Sequence, residues 1–507
     1  MVLVLFFVLC GMLLFSYLYF DQEIGHPSVL LNAAFAFGAL CCAYNTDTWG
    51  VDLSKQTVYV IVGLNALFVA VGMFFRRAPE RKVSKAGGRD RAGEASTGDD
   101  LANGSSKLRF IDVPPLTFLI IVALELISLY VLYRGIVSIG GLAGGGDSYS
   151  ELLRSYRNAT IFDNDQQLPF FADKGRKFCD CVSYVFLLAL AFNLSEDIRS
   201  FRRYGHYLIP IVIGASAALL NGGRLQLLLL TLAGVFLWIF IGEWKDGWRR
   251  RASLRKVFLI AGVVAALLGI FYVVRLAVGR TTTGSWGFLD YITMYAGGPI
   301  QLLDMYLRDP APSSGITGSE TFYTALANLS NYGLMSLPGL PSVQLEYRYS
   351  NGLVVGNVYT AYRRWIADYG IRGAAALCAL MSIFFHWFYY RFKRIRDIEP
   401  KFSFMLLVYL IPTVPMQAVD SVFYRTVFSF SFVFILLFLW IVHRACVVKP
   451  LAAGAAEVAE EGSEPGSVTL GRMSGPRPFS SQTAMSEVEA KSQQTTTTVQ
   501  KSDGHCR

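Results

Sequence analysis

The stretch from Tyr207 to Trp244 reads YLIPIVIGASAALLNGGRLQLLLLTLAGVFLWIFIGEW, and only Asn221-Gly222-Gly223-Arg224 interrupts its apolar character. A helix needs about 20 apolar residues to cross a bilayer. The run before the interruption, 206–221, is short for that. The turn is therefore expected at, or slightly inside, the membrane boundary. Its two glycines permit a tight reversal with exposed backbone. Arg224 then faces a region of low dielectric, where a cation is costly unless it meets an anion. A guanidinium fork suits a pair of phosphate oxygens. The competing reading is an arginine snorkelling from a helix end.

Outward from this hairpin the pattern repeats. Apolar runs lie near 1–20, 27–45, 56–75, 111–133, 178–195, 206–221, 225–242, 257–278, 372–390, 403–418 and 427–447. Over the whole chain of 507 residues, 53% are hydrophobic and 16% charged. A soluble domain carries about 25% charged residues. The expected fold is an all-α polytopic membrane protein of about eleven transmembrane helices, because lipid leaves the backbone of a spanning segment few alternatives to helix. The first run lacks a basic leader and a small-residue cleavage site, so it reads as a membrane helix and not as a removable signal.

The net charge of +9 reads as topology and not as nucleic-acid affinity. Arg76, Arg77, Arg81, Lys82, Lys85, Arg89 and Arg91 follow the third run. Arg199, Arg202 and Arg203, then Lys245, Arg249, Arg250, Arg251, Arg255 and Lys256, then Arg391, Lys393, Arg394 and Arg396 occupy alternate loops. With eleven alternating helices all fall on one side, which the positive-inside rule makes cytoplasmic. The N-terminus is then outside and the C-terminus inside. Lys174, Arg176 and Lys177 are the exception, landing outside in a longer loop.

The domain plan that follows has N-terminal transmembrane helices in 1–75, a flexible cytoplasmic loop in 76–110, a transmembrane catalytic core in 111–447, and a low-complexity tail in 448–507. Two long extracytoplasmic loops, 134–177 and 279–371, are the expected seats of chemistry, since loops on a rigid scaffold carry function. The eight cysteines show no metal or disulfide spacing. The five histidines, His26, His206, His386, His443 and His505, all fall toward the cytoplasmic side. An outer-face histidine triad, a metal site and a nucleotide-driven step are therefore not expected.

The outer face is instead rich in arginine. Arg275 and Arg280 bracket the outer end of the eighth run. Gly140-Gly141-Leu142-Ala143-Gly144-Gly145-Gly146-Asp147 precedes Arg154 and Arg157, whose spacing puts them on one helical face. The segment Asn357 to Gly373 mixes Tyr359, Tyr362, Arg363, Arg364, Trp365, Asp368 and Tyr369 ahead of a membrane helix. Aromatic rings stack on sugars and a carboxylate accepts a proton from a hydroxyl. An interfacial aromatic belt explains the same composition.

Taken in order, Gly140 to Arg157, the Gly222 to Arg224 turn, Tyr291 to Asp304, and the Asn-x-Tyr-Thr…Asp-Tyr-Gly-x-x-Gly stretch from Asn357 to Gly373 resemble the oligosaccharide repeat unit polymerases, the Wzy-type O-antigen and capsule polymerases. The resemblance covers about residues 110–445; the 78–107 loop and the long tail depart from it. It implies a GT-C-like glycosyltransferase with no metal and no cofactor. The implied partners are polyprenyl-diphosphate-linked oligosaccharides, membrane lipid and a chain-length regulator protein. Arg224, Arg275 and Asp368 take the catalytic roles, with Asp368 as base, and Arg280, Arg154, Arg157, Tyr359 and Arg364 the substrate-binding ones. The implied location is the bacterial cytoplasmic (inner) membrane. An O-antigen ligase and a flippase for lipid-linked glycans are the alternatives; the first resembles enzymes with an outer histidine, and the second predicts internal repeats.

Overall fold

A computed structural model describes residues 1–77, 110–246 and 287–450, apart from 145–147, 163–165, 197, 313, 342, 395–399 and 449, with scattered positions between 248 and 273. Helix dominates, and the protein is a multi-pass membrane protein. In chain order the helices are α1 Val2–Tyr19, α2 Pro27–Tyr44, α3 Lys55–Arg77, α4 Pro115–Leu142, α5 Tyr149–Arg157, α6 Phe170–Glu196, α7 Leu208–Leu220 and α8 Arg224–Lys245. They continue with α9 Phe288–Arg308, α10 Tyr323–Asn331, α11 Ala361–Lys393, α12 Phe402–Leu410, α13 Val422–Val427 and α14 Phe430–His443. Strands β1 Arg348–Ser350 and β2 Leu353–Gly356 pair antiparallel before α11.

Among the described residues eight helices are long and apolar enough to cross a membrane. They account for eight of the eleven expected runs. The run at 206–221 is the 13-residue α7, shortened by the glycine turn that follows it. The run at 403–418 breaks into tight 3₁₀ turns after Leu410, because Pro412 and Pro415 remove backbone donors. The run at 257–278 lies largely outside the described residues, as do the 78–107 loop and the tail beyond 450.

Polar contacts sort the helix ends into two groups. At one end Arg76 of α3 pairs with Asp21, Lys393 of α11 with Asp21 and Glu23, and Arg394 donates to the Phe75 carbonyl. Lys245 of α8 donates to the carbonyl of Ser195 on α6, and Arg203 pairs with Asp112. This basic end gathers the C-termini of α1, α3, α6, α8 and α11. The N-terminus of α8, which carries Arg224, therefore lies at the opposite end.

Both expected outer loops are shorter than their sequence bounds. Residues 134–142 complete α4, and α6 starts at Phe170, so Lys174, Arg176 and Lys177 are helical. Within 279–371, α9 packs on α2 through small residues: a Cβ on Gly38 would lie 2.9 Å from the Ala296 carbonyl oxygen, and one on Gly297 2.6 Å from the Cys41 carbonyl carbon. The first turns of α9 reach the start of α8, through Arg224 on Tyr291, and its last turns reach the start of α3. Both ends of α9 thus sit at the end opposite the basic one.

Asp304 makes the second of those junctions. Its carboxylate accepts from Ser54 N at 2.7 Å and Thr57 Oγ1 at 2.6 Å, which caps α3 from another helix, and Arg308 Nε lies 2.9 Å from its second oxygen. Asp304 is 2% exposed. Asp304→Ala is expected to cost about 2–3 kcal/mol, the loss of a cap plus an orphaned buried donor. Thermal unfolding in detergent reads this. Asp309→Ala, at a side chain 90% exposed, is expected to change nothing measurable.

Candidate functional site

The reversal between α7 and α8 sets the first cluster. Gly222 adopts φ +70°, a left-handed conformation that a side chain would strain. The aliphatic part of Arg157 lies over it: a Cβ there would stand 2.9 Å from Arg157 Cδ. On the preceding residue of α5, the Tyr156 hydroxyl donates to Asn221 Oδ1 at 2.7 Å. Burial pushes that hydroxyl up to about 12, against the pull of the nearby Arg176 guanidinium. Helix α5 thus holds the turn from behind, and two arginines, 157 and 224, flank one glycine pair.

Arg224 occupies the first position of α8 and is 5% exposed. It donates to the Tyr291 hydroxyl and, at 3.2 Å, to the Tyr295 hydroxyl. Its guanidinium carbon lies 5.7 and 5.4 Å from the two ring centroids. Tyr291 and Tyr295 are one turn apart on α9, and Tyr272 meets Tyr291 edge-on at 5.6 Å. Aromatic faces stabilise a desolvated guanidinium, and two tyrosine hydroxyls fix the direction of its fork. The sequence reading singled out neither tyrosine for this place; the i, i+4 spacing of Tyr291 and Tyr295 was the available signal.

A second cluster forms where α11 begins. The sequence places the mixed aromatic and charged segment ahead of a membrane helix; in the structure Arg363, Arg364 and Asp368 form two helical turns from Ala361, and non-helical backbone at Gly370 separates them from the apolar remainder of α11. Arg363 is buried, pairs with Glu320 and, at 2.9 Å, with Glu346, and lies 4.3 Å from the Tyr306 ring and 5.2 Å from the Tyr359 ring. Tyr359 donates to Glu346 Oε1 at 3.0 Å; burial first, then Glu346, raise its hydroxyl above the ordinary tyrosine value. Arg364 meets Asp420 Oδ1 at 3.2 Å and the Val343 carbonyl at 3.1 Å. Burial works against ionisation of Asp420, yet Arg425 and Arg364 outweigh it and hold its carboxyl below the usual range. Asp368 accepts from Thr321 N at 2.6 Å and Glu320 N at 3.2 Å, so its carboxylate orders the segment that carries Glu320.

The expected residues therefore separate. Arg224 and Arg157 come together. Tyr359, Arg364 and Asp368 gather in the second cluster, where Arg364 has a carboxylate partner already. Arg154, expected on one face with Arg157, is exposed while Arg157 is buried. The apolar face of α5 is set by Leu153 and Tyr156, and Arg157 follows Leu153 by one turn whereas Arg154 is rotated away from it. Arg275 and Arg280 lie outside the described residues. Helix α9 links the clusters, offering Tyr291 and Tyr295 to one and Tyr306 to the other. Tyr306 follows Tyr295 by eleven residue steps, roughly 16 Å along a helix.

The first cluster sets two arginines at one glycine turn, Arg224 against two tyrosine rings, a composition chemically suited to an anion. The second gathers paired ions around the Asp368 carboxylate, with Tyr359 buried among them. Among the described residues no group of three histidine, cysteine, aspartate or glutamate side chains gathers in a way that would hold a metal ion. No family model, curated protein or solved structure matches the chain.

Proposed function

We propose that the protein is a glycosyltransferase that joins polyprenyl-diphosphate-linked oligosaccharide repeats on the outer face of a bacterial cytoplasmic membrane. The observation that carries this reading is Arg224: a buried arginine at the start of a membrane-spanning helix, aimed by two tyrosines, with Arg157 across a glycine turn. In this reading the end opposite the basic helix termini faces outward, with the N-terminus outside and the C-terminus cytoplasmic. The polyprenyl tail stays in lipid while the sugar meets the polar groups around Tyr359 and Asp368.

In the reaction, a hydroxyl oxygen on the non-reducing sugar of one lipid-linked repeat attacks the anomeric carbon of the growing chain. A new C–O bond forms as the C–O bond to diphosphate breaks. The electron pair leaves with polyprenyl diphosphate, and the hydroxyl proton passes to a carboxylate, for which Asp368 is the proposed group. Two of its lone-pair sites hold backbone N–H groups, and a carboxylate has about four. The leaving diphosphate gains charge in the transition state, so a preorganised guanidinium stabilises it there more than in the ground state. Arg224 and Arg275 are assigned this role, with Arg280, Arg154, Arg157 and Arg364 assisting the substrates. The fold class is GT-C-like in this proposal.

The test is direct. Purified protein in nanodiscs is given a lipid-linked repeat and the products are separated by size. A ladder, with release of one polyprenyl diphosphate per bond formed, supports polymerisation. Transfer only when a lipid A core acceptor is added makes the protein a ligase. Movement of the lipid across the bilayer with no covalent change makes it a flippase and ends the proposal.

A further inference from the structure

The basic residues that break the charge asymmetry of the sequence lie beside the Arg224 turn. Lys174, Arg176 and Lys177 occupy the second turn of α6, at the end of the bundle away from the other basic helix termini. Cations close to a helix N-terminus gain nothing from the helix dipole, which favours anions there. They are also withdrawn from water: their side chains are only 12%, 16% and 11% exposed. All three turn to one carboxylate, Asp173, with Lys174 at 3.0 Å, Arg176 at 3.2 Å and Lys177 closest. Lys177 reaches Ser431 Oγ at 2.6 Å, and Lys174 lies 4.5 Å from the Phe434 ring centroid, so α14 closes the other side. Asp180, one turn deeper than Arg176, faces Tyr409 at 3.5 Å. Even with both carboxylates ionised, three cations outnumber them. Arg176 Nε is buried and makes no hydrogen bond among the described residues.

Tyr156 joins this cluster to the turn. Its hydroxyl binds Asn221, next to Gly222, and its side chain packs in one buried cluster with Ala217 of α7 and with Cys179, which follows Arg176 by about one turn of α6. Arg157 on the adjoining residue rests on Gly222. Tyr156 thus ties the Arg176 cluster to the turn that carries Arg157 and Arg224, and together these groups bring more positive charge than one phosphate group calls for. We infer that α6 supplies the second half of the anion site, so that Arg224 and Arg157 hold one phosphate of a lipid diphosphate while Arg176, helped by Lys174 and Lys177, holds the other. The inference rests on the proposed substrate class and adds to it a specificity: diphosphate over monophosphate.

The experiment measures binding of a polyprenyl diphosphate and of the polyprenyl monophosphate of the same chain length to full-length protein in nanodiscs. Wild type is expected to prefer the diphosphate by at least about ten-fold, the order given by one charge-assisted hydrogen-bonded contact. Arg176→Gln is expected to erase that preference while leaving monophosphate binding in place, and Arg176→Lys to restore part of it. Arg224→Ala is expected to weaken both lipids alike. A Lys174→Gln/Lys177→Gln double variant repeats the Arg176→Gln measurement should the latter fail to give monodisperse protein. A preference that survives both sets of variants overturns the role of α6 and leaves the proposed function standing. Equal affinity for the two lipids in wild type also overturns it. If wild type binds neither lipid, the substrate class itself falls, and this inference with it.

Discussion

Arg224→Ala collapses the polysaccharide ladder to single-repeat material while lipid-linked repeats accumulate, at protein levels matched to wild type. This is the expected result on a gel of surface polysaccharide from a strain carrying the variant. Removing one preorganised donor from a transition-state oxyanion lowers turnover by about 10²–10³-fold. Growth of a long polymer multiplies that deficit over every addition. Arg224→Lys is expected to recover little, because an ammonium keeps the charge but loses the fork that Tyr291 and Tyr295 aim. Two controls separate chemistry from folding. Tyr295→Phe keeps the ring beside the guanidinium and removes one hydroxyl, so a partial loss of long products is expected. Leu259→Ala, at an exposed apolar position, is expected to leave the ladder unchanged. An unaltered ladder in Arg224→Ala makes this arginine a helix-end residue and removes the site from the turn.

The membrane spans and the Gly-Gly-Arg turn were legible in the sequence because both depend on local pattern. Apolar length fixes a crossing, and a glycine pair between two apolar runs fixes a reversal. The burial of Arg224 followed from the shortness of α7. What was not legible depended on pairing across the chain. Arg364 read as a substrate-binding candidate, but Asp420 reaches it from another segment, as Glu320 and Glu346 reach its neighbour Arg363. The start of α6 was placed too late, since its charged first turns fall outside an apolar window although they continue the same helix. At α11 the apolar run from 372 begins directly after Gly370, whose non-helical backbone sets the charged turns before it apart. The hairpin of β1 and β2 had a signal in Asn351-Gly352, whose φ values of +50° and +73° suit a tight two-residue turn. Its strands were too short to show alternation. Helix α9 was hidden for a different reason. Gly297-Gly298-Pro299 interrupts its apolar run, and Asp290, Gln301 and Asp304 give it a polar side, so it scans as loop.

Those same glycines carry the largest structural prediction. Gly297→Ala would raise the intrinsic helix preference of α9 by about 1 kcal/mol, the ordinary difference between glycine and alanine. A methyl group there meets the Cys42 backbone nitrogen, the Cys41 carbonyl carbon at 2.6 Å and the Cys42 Cα at 2.9 Å. These are main-chain atoms of α2, and no rotamer change moves them away. Small residues at such crossings are what lets two helices approach, and overpacking a rigid contact costs about 1–3 kcal/mol or more. The clash is therefore expected to win: Gly297→Ala lowers the thermal midpoint in detergent, and Gly297→Val prevents accumulation of folded protein. Gly63→Ala, where nothing lies within 4 Å, isolates the propensity effect and is expected to be neutral or slightly stabilising. Helix α9 carries Tyr291 and Tyr295 to Arg224 and Tyr306 to Arg363, so pushing it off α2 disturbs both clusters at once. In Gly297→Ala protein that still folds, diphosphate-lipid binding is expected to fall along with stability. Wild-type binding and stability in that variant would mean that α2 yields to the methyl group and that α9 is not held at this crossing.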